Sequence, residues 1–128
     1  MTPEQWKEFD PYFTPEECGE FMDYGFMLRV LALRKRLNLP MIVHAGYSTT
    51  GHAPDSYHGK GMALDFHVEN ASPRRVLLEI DRLGVFGGVG FYPWWNHPGF
   101  HIDARPLDRY QRWYSPRQGE YIYLIPST

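Results

Sequence analysis

Hydrophobic spacing predicts one long helix and two shorter ones. Apolar residues that recur every three or four positions indicate the long helix, namely Phe26, Val30, Leu33 and Leu37. Asn38 and Pro40 end that pattern. Thr14, followed by a proline and two glutamates, predicts a capped helix start. Ser72 before a proline, with Gly84 after the last apolar position, predicts a helix over 73–83.

Short apolar or alternating segments predict strands through the rest of the chain. They are residues 41–43, residues 62–68, VFGGVGFY at 85–92, FHIDAR at 100–105 and EYIYLI at 120–125. Gly87 and Gly88 indicate either a bulge or a close approach of another backbone segment. Helices come before most strands, and the later strands follow at hairpin-like spacing. The predicted fold is therefore α+β, a single compact domain with a mainly antiparallel sheet and flanking helices.

The composition of the chain limits its domain number and the kinds of partner and site that it can have. The chain has 128 residues, 43% of them hydrophobic, which is enough for one domain with its own core. The net charge of −2 and the mixing of acids and bases argue against the basic face that nucleic-acid binding needs. Cys18 is the only cysteine, which excludes an intramolecular disulfide and a multi-cysteine zinc site.

The first residues and the hydropathy pattern indicate where in the cell the protein is expected to be made. The acidic N-terminal segment does not match a signal peptide, and no run of eighteen apolar residues occurs. We therefore expect synthesis in the cytoplasm without an export signal, and no membrane partner. The small size of the chain favours a monomer.

The stretch DSYHGKGMALDFH, at 55–67, and the later FHIDAR carry the candidate chemistry. Strand alternation places Asp65 on one face of its strand, and the two nearby glycines let the turn bring His58 back towards it. The same alternation places His101, Asp103 and Arg105 on one face of their strand. Two histidines and one aspartate leave a fourth tetrahedral position open, as catalytic zinc sites do. The ordinary alternative is that these residues lie at strand edges and only make hydrogen bonds.

These two segments also resemble a known family. Residues 56–65 match the pattern Ser-x-His-x-x-Gly-x-Ala-x-Asp of the zinc D-Ala-D-Ala carboxypeptidases and L-Ala-D-Glu endopeptidases, which have the hedgehog-like fold. Residues 87–93 and 100–103 resemble the second block of small phage and bacterial members, and the similarity extends over about 13–114. The resemblance implies that residues 1–128 form one zinc peptidase domain with peptidoglycan stem peptides as substrate. It implies zinc ligands at His58, Asp65 and His101.

The chain first departs from the family pattern at the position of the general base. Related peptidases often have Glu or His three residues before the last ligand, where this chain has Pro98. Asp103 is the first alternative, since it shares a strand face with His101 and would reach a zinc-bound water or orient a ligand. His97, in the turn before His101, is the second candidate for the catalytic base.

The chain departs from the family pattern a second time, at a position that contacts the substrate in family members. Ser48 stands where family members commonly have an arginine that would contact a substrate carboxylate or the developing oxyanion. Arg105 and Lys60 are the candidate replacements, and their ordinary interpretation is as solvated side chains. Ser56 either binds substrate or caps the turn before His58. The missing arginine weakens a carboxypeptidase assignment more than an endopeptidase assignment.

Three hypotheses follow from the sequence. The first is a zinc-dependent metallopeptidase that hydrolyses peptidoglycan stem peptides or cross-links at the cell wall. The second is a metal-containing but catalytically weak cell-wall-binding module, which the residues Pro98 and Ser48 permit. The third is a metal-free structural component of a phage tail or secretion device. The missing signal peptide favours phage or prophage delivery.

Overall fold

A computed structural model describes residues 1–53 and 55–124. The α-helices in that part of the chain are α1 (Pro3–Lys7), α2 (Pro15–Cys18), α3 (Tyr24–Leu37) and α4 (Pro73–Leu83). The strands are β1 (Met41–Ala45), β2 (Ala63–Val68), β3 (Gly88–Tyr92), β4 (Gly99–Asp103), β5 (Gln111–Tyr114) and β6 (Ile122–Tyr123). Two short 3-10 helices cover Tyr57–Lys60 and Leu107–Arg109. None of the helices described has the length and apolar character needed to cross a membrane.

The strands form one sheet in the order β1-β2-β4-β3-β5-β6. Every neighbouring pair is antiparallel except β3 and β5, which run parallel. This architecture confirms the predicted α+β class with a mainly antiparallel sheet. The parallel strand β5 was not predicted, because its four residues pair with β3 across a long connection rather than through a local turn.

Helix ends follow the local signals in the sequence. The hydroxyl of Thr14 accepts a hydrogen bond from the Glu17 amide, and that of Ser72 accepts one from Arg75. Gly84 takes the left-handed conformation that ends α4, which confirms the predicted bounds of this helix. Helix α1 was missed, although Thr2 and its partner three residues later form a complete capping box.

The core lies between the helices and one face of the sheet. On β2 and β4, apolar side chains alternate with polar ones, so that the apolar set faces the helices. Its fully buried members from these strands and from α3 include Leu64, Phe66, Ile102, Phe26, Val30 and Leu33. The opposite face of the same strands carries the polar residues at 65, 67, 101 and 103. One sheet thus supplies both the core and a platform for chemistry.

The glycine pair before β3 marks a close approach and not a bulge. The ladder between β3 and β4 is in unbroken register, with Gly88 opposite Asp103. A Cβ on Gly87 would overlap the Arg105 carbonyl oxygen, and a Cβ on Gly88 would overlap the Asp103 carboxylate. The register shift lies instead in β1, at His44. The predicted strand over 120–125 is observed only as β6, and Ile125 lies outside the described residues.

Candidate active site

Three elements bring His58, Asp65 and His101 together. His58 lies in the 3-10 helix before β2, Asp65 lies on β2, and His101 is directly opposite Asp65 on β4. One potential ligand atom from each side chain lies within 4.8 Å of the other two. His58 Nε2 is 3.3 Å from Asp65 Oδ1, and His101 Nδ1 is 2.9 Å from the same oxygen.

The turn that carries His58 is built by its neighbours. The Ser56 hydroxyl accepts a hydrogen bond from the His58 amide, and Gly61 closes the turn with a φ of 68°. A Cβ on Gly61 would also overlap the backbone carbonyl of Phe21. His58 Nδ1 donates to the Gly46 carbonyl at 2.8 Å, because a carbonyl oxygen only accepts. The other ring nitrogen of His58, Nε2, is therefore directed at Asp65.

The ring of His101 is held between two carboxylates. Its Nδ1 faces Asp65, and its Nε2 is 2.7 Å from Asp103 Oδ2. Asp103 is fully buried, and Arg105 donates to it from Nε, Nη2 and the backbone amide at 2.7–3.1 Å. A carboxylate on one ring nitrogen of a histidine typically fixes which nitrogen is left for a metal.

Asp103, the first candidate for the base, contacts the ring nitrogen of His101 that points away from Asp65. Both of its oxygens accept hydrogen bonds from Arg105, and one of them also contacts His101. Of the two functions predicted for it, this placement favours orienting His101 over accepting a proton in the cleft.

The two carboxylates and His101 perturb one another strongly. Burial alone would raise the pKa of Asp65, but hydrogen bonds from His101 and His58 outweigh it and hold the pKa well below its usual range. Burial would likewise raise the pKa of Asp103, and the contacts with His101 and Arg105 lower it. For His101, burial acts to lower the pKa, but the bonds to Asp103 and Asp65 raise it to about 9.

The donor set fits zinc. Two imidazole nitrogens and one carboxylate oxygen come from a strand pair and a capped turn, and each imidazole has its other nitrogen occupied by an oxygen acceptor. Three such ligands leave a coordination position open, which is the arrangement of catalytic rather than structural zinc sites. His58 would offer Nε2, His101 would offer Nδ1, and Asp65 would offer a carboxylate oxygen.

A cleft of about 410 Å³ opens over these residues. Ser56 and Arg105, the predicted substrate contacts, both line it. The Arg105 guanidinium lies 5.1 Å from the ring centre of Trp113 and 5.7 Å from that of Tyr57. The alternative cation, Lys60, has its ammonium group 4.6 Å from the ring centre of Tyr57 and is not among the residues that line the cleft.

His97, the second candidate for the base, lies in a different cluster. Its ring stacks on His67 at 4.5 Å, and His67 Nδ1 is 2.6 Å from His44 Nε2. We call His44, His67 and His97 the histidine trio. Two members of the trio, His67 and His97, line a second cleft of about 360 Å³ together with Glu69. The structure thus does not place His97 with the residues that line the first cleft.

Two further residues of the first cleft were not assigned a function from the sequence. The His52 ring stacks on His58 at 4.1 Å, and Tyr92 accepts a hydrogen bond from Trp113 Nε1 at 2.9 Å. Strand alternation contained the signal for Tyr92, since it shares a face of β3 with Gly90, the ladder partner of His101. The sequence places His52 in a loop near the predicted site, where it could touch substrate, but no pattern gives it a function.

Comparisons with known proteins match the part of the chain that contains the candidate ligands. The family model described as peptidoglycan L,D-endopeptidase MepK matches residues 41–110, a range that contains all three candidate ligands. Proteins with that name from Escherichia coli K12, Escherichia coli O157:H7 and Shigella flexneri are each 42% identical over 59 residues. The aligned part is 44% of this chain and 29% of each relative, so the match spans less than a third of their length.

The family match confirms the resemblance that the two sequence motifs indicated. Because the match extends over more than half of the chain, this protein belongs to the peptidase family described as peptidoglycan L,D-endopeptidase MepK.

Proposed function

We propose that this protein is a zinc-dependent metallopeptidase that hydrolyses peptide bonds in peptidoglycan stem peptides or cross-links at the cell wall. The observation that carries the proposal is the convergence of His58, Asp65 and His101 in one cleft, with both histidines oriented by oxygen acceptors. Family membership supports the substrate class. We further propose that residues 1–128 act as one peptidase domain.

Each residue around the centre has a distinct task in this proposal. Zinc, when bound, would supply a Lewis acid for the scissile carbonyl and lower the pKa of a water. His58 and His101 hold their ligating nitrogens in place through the Gly46 carbonyl and Asp103. Arg105 keeps Asp103 charged and fixed, so we propose that Asp103 is a positioning residue.

Hydrolysis adds one water across the amide. The water oxygen forms a bond to the carbonyl carbon, the carbon–nitrogen bond breaks, and one water proton is transferred to the leaving nitrogen. His97 is kept as a proposal for the group that carries this proton. His97 lines the second cleft and not the first, so the proposal requires its ring to leave the stack on His67.

We propose endopeptidase rather than carboxypeptidase specificity. The relatives are named L,D-endopeptidases, and Ser48 does not supply the cation that would recognise a terminal carboxylate. Ser48 is also engaged within its own loop, where its hydroxyl donates to the Thr50 carbonyl at 2.7 Å. Among the residues described, Arg105 Nη1 has no hydrogen-bond partner, and with Ser56 it is proposed to contact the substrate.

Metal content and peptide hydrolysis measured on the same samples test the proposal. We expect one zinc per chain by mass spectrometry and release of new amines from defined muropeptides. His58→Ala and Asp65→Ala should lose both. Asp81→Ala is the matched control, because its side chain is 67% exposed on α4 and does not line the cleft. Zinc without hydrolysis on all wall types would favour a cell-wall-binding module, and no zinc would contradict the proposed centre.

A further inference from the structure

Tyr92 ends β3 on the face of the sheet that carries the candidate zinc ligands. Tyr92 comes two residues after Gly90 on the same face of β3, and Gly90 pairs with His101 on β4. It lines the first cleft together with His58, Asp65 and His101. The phenol therefore belongs to the wall of the site, although the family motifs do not include it among the ligands.

Two tryptophans hold this side chain in one orientation. The Tyr92 ring stacks on Trp95, with ring centres 4.4 Å apart and planes at 14°. Its hydroxyl oxygen accepts a hydrogen bond from Trp113 Nε1 at 2.9 Å. Trp113 reaches this position only because Gly90 has no side chain, since a Cβ there would overlap the indole ring. Tyr92 is thus pre-positioned by packing before any substrate arrives.

The direction of the hydrogen bond leaves the hydroxyl hydrogen unused. Because the oxygen accepts from Trp113, the O–H hydrogen points elsewhere, and no side chain or carbonyl in 1–53 or 55–124 accepts it. Burial raises the pKa of Tyr92 to about 12; the bond from Trp113 opposes this shift and the charge of Asp65 adds to it. The phenol is accordingly a neutral donor throughout the physiological pH range.

The proposed reaction needs a donor of this kind. The carbonyl oxygen becomes negatively charged as the carbon becomes tetrahedral, and a donor fixed beforehand stabilises that charge. The family places an arginine at the position of Ser48, and Ser48 is occupied by Thr50. Arg105 uses Nε and Nη2 on Asp103, which leaves Nη1 for the substrate contact proposed above.

We propose that the Tyr92 hydroxyl is a catalytic residue that donates a hydrogen bond to the scissile carbonyl oxygen in the tetrahedral state. The inference rests on the proposed peptidase function and adds to it a residue that stabilises the reacting atoms. It involves no proton transfer, since the hydrogen stays on the phenol oxygen.

The substitution Tyr92→Phe tests this inference, because it removes only the hydroxyl and keeps the ring stacked on Trp95. We expect kcat on a muropeptide to fall about 100-fold with little change in KM, the usual effect of losing one oxyanion donor. Zinc content should stay at the wild-type value. Tyr114→Phe is the matched control, because Tyr114 packs on Phe91 on the other face of the sheet.

A second measurement does not depend on turnover. A phosphinate analogue of the stem peptide mimics the tetrahedral state, and calorimetry should show that Tyr92→Phe weakens its binding by a factor similar to the loss in kcat. Binding of the cleavage products should change little. Trp113→Phe, which removes the bond that orients the hydroxyl, should show the same selective loss to a smaller extent.

The outcomes are distinguishable. If wild-type protein hydrolyses the muropeptide and Tyr92→Phe equals Tyr114→Phe, the inference about Tyr92 is wrong and the peptidase function stands. Loss of zinc in Tyr92→Phe would also overturn it, since the residue would then support the metal site. If wild-type protein hydrolyses no stem peptide, the proposed function fails and the assignment of Tyr92 fails with it.

Discussion

Two groups of histidines lie on the same face of the sheet and differ in what surrounds them. In the candidate zinc centre, His58 contacts a carbonyl and a carboxylate, and His101 contacts two carboxylates. In the histidine trio, the imidazoles contact one another, through the short His44–His67 pair and the stack of His97 on His67. Within the residues described, no carboxylate is hydrogen-bonded to a member of the trio.

The surroundings shift the pKa of His101 in one direction and those of His44 and His67 in the other. Its carboxylate partners raise the pKa of His101 to about 9 in spite of burial. Burial lowers the pKa of His67, and the neighbouring imidazoles His44 and His97 lower it further. Burial also lowers the pKa of His44. The two groups thus differ in their oxygen acceptors, which orient the rings and balance positive charge in the candidate zinc centre and are not hydrogen-bonded to the trio among the residues described.

The largest expected effect comes from replacing the carboxylate that the two ligand histidines share. Asp65→Asn should lower zinc affinity by more than the roughly 100-fold typical of losing an outer hydrogen-bond partner, because it removes a ligand and its charge. Hydrolysis should fall to background. Equilibrium dialysis against a zinc buffer measures the affinity, and retention of tight zinc binding would show that Asp65 is not a ligand.

A smaller effect is expected at the carboxylate behind His101. Asp103→Asn keeps the shape but removes the charge, and zinc affinity should drop about 10-fold to 100-fold if Asp103 positions His101. If Asp103 were the general base, zinc affinity would persist while kcat fell. Metal titration combined with steady-state kinetics separates these outcomes, with Asp108→Asn on the exposed surface as the matched control.

The opposite pKa shifts predict opposite pH effects in the metal-free protein. His101 should titrate near pH 9 by NMR, whereas His44 and His67 should titrate below their ordinary value of 6.5. The raised pKa of His101 stabilises the fold below pH 6.5, and this stabilisation is lost as pH rises through about 9. The lowered pKa values of His44 and His67 leave the fold more stable above pH 6.5, and this stability is lost as pH falls, because the buried rings resist the charge that the unfolded chain accepts. A His101 titration near 6.5 would contradict the carboxylate contacts.

The smallest effect is expected within the trio. His67→Phe keeps an aromatic ring against His97 and His44 and removes the hydrogen bond to His44. We expect one zinc per chain, as in the wild type, and a change in the free energy of unfolding of about 1 kcal/mol. Loss of zinc in this variant would show that the trio contributes to the metal centre and would remove the distinction between the two groups.

Much of the fold follows from local chemistry that can be recognised in the sequence. Ser72, Pro73 and Gly84 act through bonds and dihedral angles within a few residues, so α4 was predicted with its observed ends. Strand β5 was missed because its pairing with β3 joins residues more than twenty positions apart. The sequence left open whether Gly87 and Gly88 mark a bulge or a close approach of another segment. Packing decided for the close approach, since only the folded chain brings Arg105 and Asp103 against them.

By itself the sequence determined the α+β class and, through its two motifs, the resemblance to the family that implies His58, Asp65 and His101 as ligands. Alternation on β2 and β4 sorts Asp65 and His101 onto one face. Only the tertiary structure decided which side of the His101 ring Asp103 contacts and that His97 joins His67 and not the first cleft. It also decided that Tyr92 lines the cleft with its hydroxyl oxygen bound to Trp113. Spacing along a strand determines the face on which a side chain lies. The direction of its polar atoms depends on contacts with residues distant in the chain.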